Sequence, residues 1–276
     1  MEELLTNDSL NMVTIPKMIM QTWKTSEVPD KWKKSPASIQ QHMMDWSYVL
    51  MTDEDNRSFI ESYFPDFLPY FDRMKYPIER ADAVRYCWLY INGGAYMDLD
   101  YEILEPLDSL FYNDCGLFIA SSANFPSSLT NSFMASVPGH PFWLDVIEAI
   151  KEEMNHPTWW AKGKHLEVMM TTGPGIVDRV AKRGKHIYTV IPPGLLSPEN
   201  LCQSTGKVGK MRPLEGCSWG SVDTRIYNWC FCHPVLAVII GIILLFLIIW
   251  VLSWIWSKIR GRRNRPQSSV PPVPQN

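Results

Sequence analysis

The chain has no cysteine pair at CxxC spacing and no cysteine cluster at metal-ligand spacing. Its six cysteines (positions 87, 115, 202, 217, 230 and 232) therefore indicate neither a redox centre nor a zinc site, and they do not decide the redox compartment. There is no internal repeat. The opening residues, MEELLTNDSLNMVTIPK, hold no apolar run, so no signal peptide is expected there. Charge is absent from one long stretch: residues 235–256, VLAVIIGIILLFLIIWVLSWIW, are 22 residues without a charged side chain. A bilayer core takes roughly 20 apolar residues to cross as a helix. A core helix apolar on every face over that length is rare, so a membrane span is expected, with Trp250, Trp254 and Trp256 as an interfacial aromatic belt.

The net charge of −3 over 276 residues conceals an asymmetry. Lys258, Arg260, Arg262, Arg263 and Arg265 follow the span and leave −8 on the remainder. An acidic main body argues against nucleic acid as a partner, and the basic cluster suits a topogenic or headgroup anchor. The expected topology is contradictory. A sole span near the C-terminus inserts late and leaves the main domain in the cytosol, whereas the basic flank prefers the cytosolic side for itself. Asn7-Asp8-Ser9 and Asn56-Arg57-Ser58 are formal glycosylation sequons. Cys230 and Cys232 flank the span and are candidates for palmitoylation.

Apolar runs and turn signals predict strands at 15–23, 46–51, 101–104, 117–120, 131–135 and 187–191. Helices are predicted at 32–43, from a Thr52/Asp55 capping box to Tyr63, from Pro77 to Asn92, from Pro141 to Met154, and after Thr172-Gly173-Pro174-Gly175. Pro65 and Pro69 break the chain between the second and third, Gly93-Gly94 ends the third, and 197–217 reads as a long loop. Strand, helix, strand, helix, strand is the order of an α/β domain with a mostly parallel sheet. The expected organisation is a polar arm at 1–12, a catalytic domain at 13–228, the span at 235–256 and a basic, then Pro/Ser-rich tail at 257–276.

The run Gly93-Gly94-Ala95-Tyr96-Met97-Asp98-Leu99-Asp100 carries the most chemistry. In an open α/β sheet, ligands gather at the carboxyl ends of strands, and residues i and i+2 of an extended chain point to one side. Asp98 and Asp100 there offer hard oxygens to a divalent cation that keeps open positions for substrate and water. A solvated turn is the ordinary alternative for an Asp-x-Asp. Upstream, Asp82 and Arg85 are three apart and share a helix face. Either they form a surface ion pair worth well under ~1 kcal/mol, or they hydrogen-bond sugar hydroxyls while Arg80 meets phosphate. The packed neighbours Ala81, Val84, Trp88 and Leu89 leave little room for a solvated face.

Several ordered motifs then resemble one family. They are Ile15-Pro16-Lys17 with Gln21-Thr22-Trp23, Thr52-Asp53-Glu54-Asp55-Asn56, Tyr76 to Tyr86 (YPIERADAVRY), the Gly93–Asp100 run, Asn131-Ser132-Phe133-Met134-Ala135, Gly139-His140-Pro141-Phe142 and Thr172-Gly173-Pro174-Gly175. Together, over residues 13–222, they resemble the DXD-containing glycosyltransferases related to the yeast initiating α-1,6-mannosyltransferase (glycosyltransferase family 32). Within that family they are most like the inositol phosphoceramide mannosyltransferases. The resemblance implies a GT-A fold, a nucleotide-sugar donor, Mn²⁺ or Mg²⁺, and transfer with retention, with no protein nucleophile needed. It makes Asp98 and Asp100 the metal and diphosphate motif, and Asp82 and Arg85 the residues that hold the donor sugar. Trp23 is placed near the base, although capping the core at a strand end is an equal alternative. Tyr96, Asn131, Gly173, Ser218 and Trp219 fall in or beside the matched motifs as further candidates for substrate contact.

The family's usual His before Gly-x-Ser-Trp is missing from Glu215-Gly216-Cys217-Ser218-Trp219, which leaves Glu215 or Ser218 to complete the metal shell. The resemblance favours GDP-mannose, with UDP-glucose and UDP-galactose open. It points to a membrane acceptor such as inositol phosphoceramide, to the ER/Golgi system, and leaves room for an accessory membrane subunit. From Trp219 to Val235 the chain reaches at most ~55 Å, which favours an acceptor at the bilayer. Two alternatives remain: transfer to glycoprotein glycans, and a sugar-binding membrane protein with a decayed site. An Asp-x-Asp phosphatase is disfavoured, since its motif lies on an early strand and here it is mid-chain and followed by Glu102.

Overall fold

A computed structural model describes residues 14–111, 115–125, 127–197, 202, 209–215 and 219–263. The polar arm, the sequon at Asn7 and the tail after Arg265 lie outside the described residues, as does Ser218. The chain divides into two units, one up to Arg225 and one from Ile226 onward.

The described strands are β1 (Met18–Thr22), β2 (Ser47–Met51), β3 (Gly94–Met97), β4 (Tyr101–Ile103), β5 (Leu117–Ser121), β6 (Leu129–Ser136), β7 (Thr189–Ile191) and β8 (Met211–Pro213). Six of them form one sheet in the order β2-β1-β3-β6-β5-β7. β2, β1 and β3 run parallel, β6 is antiparallel to β3 and to β5, and β5 is parallel to β7. Only β6 is reversed, so the mostly parallel α/β sheet of the GT-A architecture is borne out.

The strands are apolar nearly throughout because both faces are covered. Successive side chains alternate between the two cores. Met20, Tyr96, Leu117, Ile119 and Met134 enter one, while Ile19, Ala95, Met97, Phe118, Phe133 and Ala135 enter the other. The helices α1 (Lys34–His42), α2 (Asp53–Tyr63), α3 (Leu68–Arg73), α4 (Pro77–Asn92), α5 (Phe142–Asn155), α6 (Lys164–Thr171) and α7 (Pro174–Lys182) belong to the first unit. Residues of α2, α3, α4, α5 and α7 fill the first core; α1 closes the second.

Local sequence signals set several boundaries. The Thr52 hydroxyl accepts from the Asp55 amide at 3.1 Å and the Asp55 carboxylate accepts from the Thr52 amide at 2.9 Å, the predicted reciprocal box. α4 starts at Pro77 and ends at Asn92 as expected, with the Glu79 carboxylate accepting from the Tyr76 amide at 2.9 Å. Other expectations need correction. The segment 197–217, read as loop, holds the strand β8, which pairs with β4 in the stretch where a strand was expected. A three-residue strand has no periodicity to detect; pairing with β4 creates it. Pro69 does not break the chain but sits in the first turn of α3, where a missing N–H costs nothing.

The remaining helices are α8 (Val222–Cys232), which spans the boundary between the units, and α9 (Pro234–Arg263). Within α9, Pro234–Lys258 is the one described helix long and apolar enough to cross a membrane. Cys202 and Cys232 each take part in a disulfide. That removes Cys232 as a palmitoylation candidate, while Cys230 is a free thiol.

The Gly-Gly break before β3 is a backbone requirement. Gly93 and Gly94 have φ of 65° and 80°, where a side chain is strained. A Cβ on Gly94 would stand 2.6 Å from the Met18 carbonyl oxygen of the neighbouring strand. Gly94→Ala is expected to lower the melting temperature of the first unit by roughly 6–12 °C, read by thermal unfolding; an unchanged midpoint would show that the strand entry tolerates a side chain.

Candidate active site

The site forms where β3 runs out. Past Met97 the chain keeps one more bond to β6, the Asp98 amide donating to the Ser132 carbonyl at 2.8 Å. Since β6 is antiparallel, its first residues meet the end of β3, and Asn131 arrives beside Asp98. α4, packed over the Tyr96 face of the sheet, brings Asp82 and Arg85 to the same point.

Arg85 is the hub. It is 3 % exposed, and its Nη1 donates to Asp98 Oδ1 at 3.0 Å and to the Asn131 carbonyl at 2.9 Å. Its Nη2 lies 2.9 Å from Asp82 Oδ1, its Nε donates to the Ala81 carbonyl, and its guanidinium carbon stands 4.2 Å over the Tyr96 ring. The Tyr96 hydroxyl donates to Asp98 Oδ1 at 2.6 Å. Asp82 is equally occupied: Asn131 Nδ2 donates to Oδ1 at 3.0 Å and Thr172 Oγ1 to Oδ2 at 3.1 Å. The Tyr86 hydroxyl donates to the Thr172 carbonyl at 2.6 Å and accepts from Asn131 Nδ2 at 2.9 Å. Thus the turn before α7 is clipped to the site. On the other side, Gln21 Nε2 donates to the Asp98 carbonyl at 3.2 Å, while its own carbonyl accepts from the Tyr48 hydroxyl at 3.1 Å.

Three carboxylates crowd one guanidinium, and their acidities record it. Burial pushes Asp82 up to about 6, with Arg85 opposing and Asp98 adding. Burial also raises Asp98, against Arg85 and the Tyr96 hydrogen bond. Asp100 is pushed up to about 7, by burial and then by the charge of Asp98. Burial works against the charge on Arg85, but Tyr96, Asp82 and Asp98 outweigh it and hold the proton firmly.

A cavity of about 330 Å³ opens over this network. Asp82, Arg85, Asp98 and Asp100 line its floor, together with Tyr96 and Asn131. Trp23 and Trp32 form a wall, their rings edge-to-face at 5.1 Å. Trp219 lines it too, stacked on His165 at 5.5 Å. The residues fit a divalent cation in a specific way. Asp98 Oδ1 is committed to Arg85 and Tyr96, but no partner engages Oδ2, and the Asp100 carboxylate has no side-chain partner among the described residues. Two adjacent carboxylates with one compensating guanidinium are short of positive charge, and hard oxygens of this kind suit Mg²⁺ or Mn²⁺ with positions left for phosphate and water.

The structure therefore brings together Asp82, Arg85, Tyr96, Asp98, Asp100, Asn131, Trp23 and Trp219. Arg80 stands apart, its Nη1 donating to the Met74 carbonyl at 3.0 Å. Gly173 caps α7 behind the cavity wall, and its neighbour Pro174 lines it. Glu215 is exposed, with its carbonyl accepting from Trp32 Nε1 at 3.1 Å. Among the described residues no three His, Cys, Asp or Glu side chains converge on one point, so Glu215 does not complete a trio with Asp98 and Asp100. Sequence reasoning missed Lys24, Asp53 and Lys164 on the cavity wall. Lys164 opens α6, and its Nζ donates to the Trp219 carbonyl at 2.6 Å. The density of basic residues at 162–165 was the signal available for it.

The family described as glycosyltransferase sugar-binding region containing DXD motif matches residues 29–117. Inositol phosphoceramide mannosyltransferase 2 of Schizosaccharomyces pombe is 34% identical over 251 residues, covering 88% of this chain and 70% of that protein. Mannosyl phosphorylinositol ceramide synthase CSH1 of Saccharomyces cerevisiae is 33% identical over 239 residues, covering 86% of this chain and 61% of that protein. Among solved structures, PaToxG glycosyltransferase superposes with a TM-score of 0.48 at 15% identity, over 62% of this chain and 70% of that one.

The network makes a direct prediction. Arg85→Met leaves two buried carboxylates without their counter-ion, a change that costs about 3–5 kcal/mol and should lower the melting temperature by roughly 10 °C. Arg85→Lys keeps the charge but not the fork and should fall between the two. A melting temperature of Arg85→Met equal to that of the unaltered chain would remove Arg85 from the centre of the site.

Proposed function

The chain belongs to the family of DXD-containing glycosyltransferases that includes the inositol phosphoceramide mannosyltransferases, and we propose that it transfers mannose from GDP-mannose to inositol phosphoceramide in a membrane, with retention at the anomeric carbon. The observation that carries this reading is the Asp98–Asp100 pair at the end of β3, braced on one side by Arg85 and open toward the cavity on the other.

Asp98 Oδ2 and the Asp100 carboxylate would hold Mn²⁺ or Mg²⁺. When bound, the ion supplies Lewis-acid stabilisation to the diphosphate as it departs with negative charge. The chain's own residues do the rest. Arg85 and Tyr96 fix Asp98 Oδ1, so that carboxylate cannot rotate away as the charge develops. Preorganisation of this kind is worth most in a water-poor cavity. Lys164 and Lys24 add positive charge to the wall facing the diphosphate, and Trp23 offers an aromatic face to the base. Asp82 carries the sugar side, its orientation fixed by Asn131 and Thr172. The cavity offers no activated Ser, Cys or His nucleophile among the described residues. Front-face attack suits such a site, with the acceptor hydroxyl proton passing to the departing phosphate oxygen as the new glycosidic bond forms.

The acceptor rests on the printed activity of the relatives and on the apolar helix Pro234–Lys258. Disulfide-bonded Cys202, in the first unit, favours an oxidising lumen for that unit. With the basic flank at 258–265 on the cytosolic side, both signals then agree with a lumenal catalytic unit in the ER/Golgi system.

The test is hexose transfer from a panel of GDP-mannose, UDP-glucose and UDP-galactose to inositol phosphoceramide and to a glycoprotein glycan, read by mass spectrometry. GDP-mannose with the lipid should give product, and Asp98→Asn and Asp100→Asn should each lose at least about a hundredfold in turnover while folding survives. Near-normal turnover in either variant at saturating Mn²⁺ would remove the pair from the mechanism. Product with the glycan alone would replace the acceptor.

A further inference from the structure

The loop between α5 and α6 is built in an unusual way. Both of its ends are pinned. At the start, the Thr158 amide and hydroxyl donate to the carboxylate of buried Glu153 at 2.6 and 2.9 Å. At the finish, the His165 amide donates to Asp223 Oδ2 at 2.8 Å, and Gly163, with a φ of 87°, lies so close that a Cβ there would stand 3.0 Å from the same oxygen. Between these anchors the Ala161 amide donates to the Thr158 carbonyl and the Lys162 amide to the Trp160 carbonyl, a tight turn with Ala161 buried as its plug. A segment so well fixed nevertheless turns two adjacent tryptophans outward: Trp159 is 81% exposed and Trp160 48%. Neither indole makes a ring contact or a side-chain hydrogen bond among the described residues.

The charge around them is the reverse of the domain's. Residues 154–166 hold Lys162 and Lys164 and no acid, in a chain whose body is acidic. The bracketing acids are already engaged, Glu153 with Arg179 and Glu167 with Lys75, each at 2.8 Å. Indole rings beside lysines, on a rigid support, have the chemistry of a membrane interface. The ring sits at headgroup depth, with its N–H toward water, and the ammonium meets lipid phosphate. Two chain facts point the same way. Lys164, on the cavity wall, is four residues from Trp160 and so within about 14 Å along the chain. Only residues 224–233 separate Asp223, the loop's second anchor, from the start of the apolar span at Pro234.

We propose that the loop at 156–163 is a membrane-docking surface, with Trp159 and Trp160 seated among the headgroups of an anionic bilayer and Lys162 on their phosphates. It brings the mouth of the cavity to the lipid plane, where a headgroup hydroxyl can enter beside Lys164. The proposal rests on the reading that the acceptor is a membrane lipid, and its test separates the two.

The full chain is reconstituted in vesicles of phosphatidylcholine and phosphatidylinositol that also carry a phospholipid with a photoreactive group near the glycerol. After illumination, lipid adducts are mapped by mass spectrometry. Adducts on the peptide spanning 157–162 are expected, and their loss in Trp159→Ala/Trp160→Ala. The same double variant should raise KM for inositol phosphoceramide in vesicles about tenfold while leaving nucleotide release from the donor to water unchanged. Trp159→Tyr/Trp160→Tyr should restore most of the difference. Adducts confined to 235–256, or equal losses of donor hydrolysis and lipid transfer, would overturn the surface. Adducts on the loop without any mannose transfer by the unaltered chain would support the surface and sink the acceptor instead.

Discussion

Everything in the first unit answers to one buried guanidinium. Arg85 sits with almost no exposure between Asp82 and Asp98, and its remaining donors reach two backbone carbonyls. Such a charge is tolerable only if every group around it is committed, and the surrounding structure meets that demand. Asn131 reaches it because β6 is reversed against β3; Thr172 reaches Asp82 because the turn into α7 is tied to Tyr86. The less balanced member is Asp100, raised to about 7 by burial and by Asp98, which the charges of Arg85 and Lys31 offset only in part. The raised Asp98 and Asp100 carboxylates are the groups at which a divalent cation would relieve the crowding of negative charge.

Much of this was legible in the sequence, and for local reasons. The Thr52/Asp55 box, Pro77, and Gly93-Gly94 act within a few residues, so the limits of α2, α4 and β3 could be read directly. The pairing of Asp98 with Asp100, and of Asp82 with Arg85, follows from strand and helix spacing. What could not be read was any feature made by distant chain. The pair Asp82–Arg85 was open between a solvated ion pair and sugar contact, and burial decides against the first. The identity of Arg85's partners needed β6; the strand at 211–213 needed β4; Lys164 entered the cavity wall through α6, a helix without a strong start signal. Arg80 looks equivalent to Arg85 in sequence, one and a half turns earlier on α4, yet its side chain is turned to the Met74 carbonyl.

The second theme is the bilayer. Charge asymmetry, the apolar run and the aromatic belt were visible as composition, and α9 carries them as one continuous helix through Arg263. The outward tryptophans of the loop after α5 were not visible in that way. The turn around buried Ala161 is what faces the two adjacent Trp residues outward. Their basic surroundings and the acidic body of the domain make the polarity of the first unit uneven, with one edge suited to anionic lipid.

The central claim is that Asp98 and Asp100, steadied by Arg85, hold a divalent cation shared with the donor's diphosphate. Calorimetric titration of GDP into the full chain, with and without Mn²⁺, tests it most directly, since a cation held by both the carboxylates and the diphosphate strengthens GDP binding by the same factor as GDP strengthens its own. The account predicts GDP binding at least about tenfold tighter with Mn²⁺ present, with that gain abolished in Asp100→Asn. A GDP affinity indifferent to Mn²⁺, or a gain that survives the substitution, would contradict it.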